Sequence, residues 1–518
     1  MNLEKFLYTI HFDMDQASPP DWQPDWEDAP FPYKLYRNLP RIPLDADIPL
    51  SLAAPESPCQ PDLRRLGHFL WYTYGLAQIS QTVYPEEESE ELSQSLRRFA
   101  PSGGGLYPNE LYVYLKLEDI PAGVYHYDVA RHGLVLLREG NADDYLGKAL
   151  GDRCDVASCF GTVLISARFW KNFFKYNQFS YRLQGLDAGV LIGQLEETAK
   201  RFGFAAGVYF QFLDRAVNHL LGLRDDEESV YAVIPLSTGA TRWCAGGNRT
   251  ELSAEELSRT IPAIKTSYET GSKRIMEFPA LLYANEASYL DFSESFKRMR
   301  PVEKSAEQGR RLKLPGKGFS YDLAEACRNR FSPEMDFTQG KISMAQVGDL
   351  LKESFRSYAS RNDLDGLGKN RPRVSVYGCF YRVDGIPDGA YQYHEAEQEL
   401  EEIRPGDHRF FLQEAMSLDN VNLYQVPLVI HIAGTRDHLL SELGYRGYRI
   451  QQMEAGMLTQ RLLLTAAAIG WGGHPLLGYD VNKCDALYGM DGRGETCLIQ
   501  IPVGPYRKRS WLTGGLNR

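Results

Sequence analysis

Residues 181–204 read YRLQGLDAGVLIGQLEETAKRFGF, and residues 448–471 read YRIQQMEAGMLTQRLLLTAAAIGW. Without gaps the two share ten identities over 24 positions, at an offset of 267 residues. The identities include Tyr-Arg, Gln, Ala-Gly and the late glycine. A second pair lies at an offset of 266: Ile120-Pro-Ala-Gly-Val-Tyr-His-Tyr127 against Ile386-Pro-Asp-Gly-Ala-Tyr-Gln-Tyr393. Two blocks in one order at nearly one spacing mark a duplicated chain.

Each copy carries the same run of elements. An alternating strand (Leu111–Leu117; Val374–Val383) leads through a Pro-Gly turn into the Gly-x-Tyr-x-Tyr strand. An apolar strand follows (Gly161–Ala167; Pro427–Ala433), then a long helix bearing the repeated block. Its Ala-Gly step permits close packing, and Gly203 or Gly470 ends it as C-terminal glycines do. A last strand closes each copy (Val230–Leu236; Thr496–Val503). The expected class is α+β, with helices packed on a mixed or antiparallel sheet. Two tandem domains, 61–245 and 321–518, are expected to pair through their apolar long helices as an intramolecular pseudo-dimer. Residues 1–60, rich in Pro and Asp, read as an extended arm. Residues 246–320 read as a partly helical linker, signalled by the capping box Ser253/Glu256.

Bulk properties narrow the function. At 518 residues, with 43% hydrophobic and 24% charged residues, the chain is a multidomain globular protein. A net charge of −11 and a pI near 5.5 argue against nucleic acid, whose phosphates call for clustered Lys and Arg. No apolar run approaches the roughly 20 residues of a spanning helix. The N-terminus MNLEKFLYTIHFDMDQ has no signal-peptide pattern, so a cytoplasmic location is expected. Eight cysteines, at 59, 154, 159, 244, 327, 379, 484 and 497, form no CxxC pair and read as free thiols, with no metal site.

The sharpest motif is Arg98-Phe-Ala-Pro101-Ser102-Gly103-Gly104-Gly105-Leu106-Tyr107-Pro108-Asn109-Glu110. Three glycines between prolines make a backbone that a flat or anionic ligand can approach, with N–H donors and no Cβ in the way. The G-x-G-x-x-G spacing of dinucleotide folds is absent. On spacing alone, a structural turn and a ligand loop are both open.

Pro-Ser-Gly-Gly-Gly-Leu-Tyr-Pro followed by a strand and Pro-x-Gly-x-Tyr-x-Tyr resembles the nitroreductase superfamily. In particular it is similar to SagB/ThcOx-type dehydrogenases, which oxidise azolines to azoles in ribosomally made peptides. The resemblance runs over about residues 60–240 and returns more weakly over 320–510. It implies FMN as cofactor, with Pro101, Ser102, Gly103, Gly104, Gly105, Leu106 and Tyr107 against the isoalloxazine ring. It also implies catalytic roles for Lys175 and Tyr176, which stand shortly before Tyr181-Arg182 as the family's Lys-Tyr pair does. Azoline oxidation removes a proton from ring carbon and passes a hydride to flavin, so a positioned base is required.

The second copy has lost these parts. It reads Gly368-Lys-Asn-Arg-Pro372 where the glycine loop should be, and Glu442-Leu443 where Lys-Tyr should stand. It does carry Arg328-Asn-Arg330-Phe331-Ser332, which resembles the Arg-x-Ser-type motif that holds the flavin phosphate. Arg330 stands there where a small hydroxyl residue is usual. The basic tail Gly504-Pro-Tyr-Arg507-Lys508-Arg509 resembles the segment completing that site, and guanidinium forks suit a phosphate. In Gly470-Trp-Gly-Gly-His474-Pro-Leu-Leu477-Gly478, similar to the superfamily loop beside the flavin, an N–H near Leu477 or Gly478 is implied as an N5 contact. His474 reads more readily as structural or solvent-exposed than as an acid/base. One FMN per chain is expected, shared by the halves. The implied partners are a precursor peptide and cyclodehydratase proteins, with the chain monomeric as a pseudo-dimer or in a higher homo-oligomer. Two other readings stay open: an NAD(P)H-dependent nitro, quinone or dehydroamino-acid reductase, and a non-catalytic scaffold of a peptide-modifying complex.

Overall fold

The computed structural model describes residues 2–19, 21–86, 89–239, 252–299, 309–356, 361–365, 373–508 and 512–515. Each copy builds a seven-stranded sheet, and the two sheets have one strand order. In the first it runs Arg41–Pro43, Gly133–Glu139, Gly123–Asp128, Asn109–Leu115, Gly161–Arg168, Glu228–Ser237, Ala205–Ala206. In the second it runs Arg311–Lys313, Glu399–Pro405, Gly389–His394, Ser375–Phe380, Leu428–Thr435, Glu495–Gly504, Gly472–Gly473. Every pairing within them is antiparallel. The α+β duplication read from the sequence is the fold.

The central strands are covered on both faces. Along Asn109–Leu115, Leu111, Val113 and Leu115 enter a core common to both copies, while Tyr112 and Tyr114 enter an outer core. This is the period-two alternation of a strand with two apolar environments. The second copy has an outer core of its own, around Tyr377, Val429 and Leu487.

The common core is built on the helices Ser180–Arg201 and Tyr445–Ala468, which carry the repeated block. Nearly every side chain on both is buried. They cross at the repeated glycines: a Cβ on Gly189 would collide with the Met453 carbonyl, and one on Gly456 with the Leu186 carbonyl. Tyr181 and Tyr448 stack at 6.0 Å, Gln460 Nε2 donates to Gln194 Oε1 at 2.6 Å, and Arg461 pairs with Glu196 at 2.6 Å. Gly203 and Gly470, just beyond the helices, adopt φ of +64° and +79°. Replacing Gly189 by alanine is expected to force the helices apart at a cost of about 1–3 kcal/mol, read as a lowered urea midpoint with an unchanged slope.

Segments outside the repeat tie the copies together. Residues 1–60 were expected to form an extended arm, but they begin with a helix, Leu3–Phe12, capped by Asn2. Leu3, Phe6, Leu7 and Ile10 fall on one helical face and are buried in the common core. Further on, the Trp22 indole donates to the Phe174 carbonyl and Trp26 lies edge-on to Phe174. A hairpin, Leu76–Glu86 with Ser89–Arg98, takes Leu512–Gly515 from the far end of the chain as its third strand. In the linker, Ser253 and Glu256 form the expected reciprocal cap. Among the described residues no helix is long and apolar enough to cross a membrane.

Candidate ligand site between the halves

The hairpin strand Ser89–Arg98 runs directly into the glycine loop, which forms a single tight turn at Gly103–Gly105. Gly104 and Gly105 have φ of +62° and +69°, a region that L side chains rarely adopt. A Cβ on Gly104 would strike the Tyr176 hydroxyl and sit 3.0 Å from Lys175 Nζ, whereas one on Gly105 would meet nothing within 4 Å. The fold therefore brings the glycine loop and the Lys-Tyr pair together, with room on the loop's open side.

Four of the loop's N–H groups are used internally. Gly103 donates to Asp187 Oδ1 at 3.2 Å, Gly105 to the Ser102 carbonyl at 3.0 Å, Leu106 to the Gly103 carbonyl at 3.3 Å and Tyr107 to Ser102 Oγ at 2.9 Å. The Ser102 hydroxyl in turn donates to Asp187 Oδ2 at 2.5 Å. Of the three glycines, only Gly104 has an N–H without a partner among the described residues. The row of free donors expected of three glycines thus contracts to one, because a tight turn consumes its own amides.

Lys175 and Tyr176 end the helix Phe169–Tyr176. Neither Lys175 Nζ nor the Tyr176 hydroxyl has a hydrogen-bond or ion-pair partner among the described residues. Lys175 Nζ lies 5.6 Å from the Trp26 ring centre and 5.1 Å from that of Tyr176. Burial lowers the lysine pKa, while burial and then the charge of Asp187 push the phenol pKa up. Lysine is thereby made the better base of the two, and the tyrosine stays a neutral donor.

Two guanidinium groups lie at the entry to the loop, beside Phe99. Arg330, from the second copy, is buried; its Nε donates to the Phe99 carbonyl at 2.9 Å and its Nη1 to Ser332 Oγ at 3.4 Å. Arg97, from the hairpin, donates to the Arg330 carbonyl at 3.1 Å and lies over the Phe331 ring. Burial first, and then the neighbouring Arg97, lowers Arg330 to about 10. Burial likewise lowers Arg97. No carboxylate pairs with either among the described residues. Two desolvated like charges side by side are stabilised by a bound anion. Sequence reading missed Arg97 because it precedes the quoted motif and belongs to an unforeseen hairpin.

The repeat supplies an internal comparison at Leu477 and Gly478. Their equivalents at the offset of 267 are Phe210 and Gln211, whose N–H groups both donate to the Asp363 carboxylate, at 2.8 and 3.1 Å. Asp363 is held in turn by Arg153 at 2.8 Å. The mirror position is filled by the protein's own carboxylate, and beside it Lys297 Nζ donates to the Glu442 carbonyl. At Leu477 and Gly478 the same two N–H groups have no partner among the described residues. The amides of Leu477 and Gly478, the open face at Gly105 and the arginine pair are each groups that suit a flat ligand carrying acceptor atoms and a phosphate.

Other expected residues are placed differently. Arg328 is exposed and donates to the Leu50 carbonyl, away from Arg330. Arg507 is exposed beside Tyr506, whose ring stacks on Phe331 at 5.3 Å. Arg509 and the 368–372 segment lie outside the described residues. Gly478 faces Ser417. His474 donates from Nδ1 to the Pro333 carbonyl at 2.6 Å, and burial lowers its pKa, which marks it as a structural histidine.

A duplicated antiparallel α+β unit, joined through its long helices, with Arg97 of one copy against Arg330 of the other at the entry to the glycine loop, defines a tandem two-copy class. The chain belongs to the nitroreductase family, which matches residues 79–236 and 378–505. The trifolitoxin-processing protein TfxB of Rhizobium leguminosarum bv. trifolii is 31% identical over 139 residues, 25% of this chain and 36% of that protein. The match thus spans about a third of the relative's length. The crystal structure of a nitroreductase from Anabaena variabilis aligns over 98% of this chain and 99% of its own, with a TM-score of 0.75 at 21% identity. The whole two-copy arrangement therefore recurs in a solved fold.

Proposed function

We propose that the chain is an FMN-dependent dehydrogenase that oxidises thiazoline or oxazoline rings to thiazole or oxazole in a ribosomally synthesised precursor peptide, in the cytoplasm. The observation that carries this reading is that one loop segment meets, at Gly104, the Lys175–Tyr176 pair, unpartnered among the described residues, and, at Phe99, the Arg97–Arg330 pair. Similarity to a protein named for processing trifolitoxin supports a peptide substrate. A cyclodehydratase partner would form the azoline before this chain acts.

Arg97 and Arg330 would hold the phosphate, with Ser332, Arg507 and Arg509 as the remaining residues of the proposed clamp and Arg328 left outside it. Residues 101–107 would lie against the ring system, and the N–H groups of Leu477 and Gly478 would meet its acceptor atoms. When bound, FMN supplies a two-electron acceptor for a hydride leaving one ring carbon. Lys175 Nζ takes the proton from the adjacent carbon as the new double bond forms, and its desolvation suits it to that task. The Tyr176 hydroxyl, neutral at physiological pH, orients the azoline by donating a hydrogen bond. Over the whole reaction dioxygen would accept the two electrons and two protons, giving hydrogen peroxide.

The test is the visible spectrum of the purified protein, with released cofactor counted per chain, followed by mass spectrometry of an azoline peptide. One FMN per chain and the loss of two hydrogens per ring are expected. Two FMN per chain would contradict the closed mirror position at Asp363. No FMN after reconstitution, or NAD(P)H consumption without peptide turnover, would overturn the dehydrogenase reading.

A further inference from the structure

Asp187 was not among the expected site residues, yet among the described residues it alone hydrogen-bonds the glycine loop from the long helix. It lies one turn beyond Leu183, and its carboxylate accepts both the Ser102 hydroxyl and the Gly103 N–H. The repeat places Glu454 at the same helical position, at an offset of 267. Glu454 is also buried, and it holds Arg373, the first described residue after the second copy's own loop. A buried acid thus stands at the same helical position in both copies, although the loop sequences have diverged. The surroundings differ. Glu454 faces a guanidinium, whereas no cation pairs with Asp187 among the described residues.

We propose that Asp187 is a positioning residue that sets the glycine loop for the cofactor, and that the Ser102 hydroxyl serves this carboxylate rather than the ligand. With Asp187 ionised, Ser102 spends its proton on Oδ2 and a lone pair on the Tyr107 N–H. The loop is then fastened at both ends, and the Gly104 N–H is without a partner among the described residues. The groups facing Asp187 are Ser102 and Gly103 on the loop, Tyr176 on the helix Phe169–Tyr176 and Tyr74 on the helix Leu63–Tyr74. None of these is a cation, and burial pushes the carboxyl up to about 7. The sign follows. Above pH 7 both loop bonds are to a charged acceptor; below it the carboxyl is protonated, one oxygen must donate, and the grip weakens.

The inference rests on the FMN reading, and its test separates the two. Amide hydrogen exchange over residues 98–112 would be measured in the apoprotein, and FMN affinity by fluorescence between pH 6 and 8, for wild type, Asp187→Ala and Asp187→Asn. In Asp187→Ala, loop exchange is expected to quicken and FMN affinity to fall, each by about tenfold or more, with exchange in the long helices unchanged. Wild-type affinity is expected to weaken from pH 8 to pH 6 beyond the phosphate's own titration. Asp187→Asn, which retains an acceptor for Gly103 and loses the proton, should recover part of the affinity and show only the phosphate effect. Loop exchange and affinity within twofold of wild type in Asp187→Ala would overturn the proposal, as would a wild-type pH step in Asp187→Asn. If Asp187→Ala does not fold, the pH comparison with Asp187→Asn decides alone. If wild type takes up no FMN, the proposed function fails while the apoprotein exchange still judges Asp187.

Discussion

Lys175→Ala is expected to slow azoline oxidation by about 10²–10⁴-fold while FMN content stays at the wild-type level. The lysine contributes no bond to the loop or to the arginine pair, so its loss removes a proton acceptor and leaves the ligand-holding groups in place. Tyr176→Phe is expected to cost less in rate and more in apparent substrate affinity, because a neutral donor orients the ring without taking the proton. The pH profile separates the two roles. Desolvation lowers the lysine pKa, so the limb of the rate profile that reports an ionising base should vanish in Lys175→Ala and persist in Tyr176→Phe. Full turnover in Lys175→Ala would remove Lys175 as the base and leave the proton to another acceptor.

The duplication was legible because it is written twice. Repeated residues at 181–204 and 448–471 fall on the two helices that cross, and the glycine they share is the one at which they touch. The glycine loop and the Lys-Tyr pair were also legible, being contiguous motifs. Their meeting was not, since no spacing in the chain places residue 104 against residues 175 and 176. Arg97 was invisible for a related reason: its value lies in a neighbour 233 residues away, Arg330, across the interface. Conversely, Arg328 looked like part of a clamp, but the chain turns it toward the Leu50 carbonyl. The N-terminal helix was hidden by composition. The prolines and aspartates downstream suggested an extended chain, although the apolar positions 3, 6, 7 and 10 already carried a helical period.

The largest loss of stability is expected from Asp214→Ala, about 3–5 kcal/mol. Asp214 belongs to the first copy, in the helix Asp214–Leu221, and accepts from Arg446 at 2.6 Å and Arg449 at 3.2 Å, both on the long helix of the second. All three side chains are almost wholly buried. Removing the carboxylate leaves two guanidinium groups without their counter-ion in a medium that cannot solvate them. Burial already lowers Arg446 to about 10 with Asp214 in place. Asp214→Asn keeps an acceptor but no charge and should fall between alanine and wild type. Because the same contact joins the copies, and the candidate site takes Arg97 from one and Arg330 from the other, FMN affinity is expected to fall along with the urea midpoint. An Asp214→Ala variant within about 1 kcal/mol of wild type would show that Asn285 and the carbonyls of Phe210 and Ser288, which already accept from these arginines, suffice to hold the halves together.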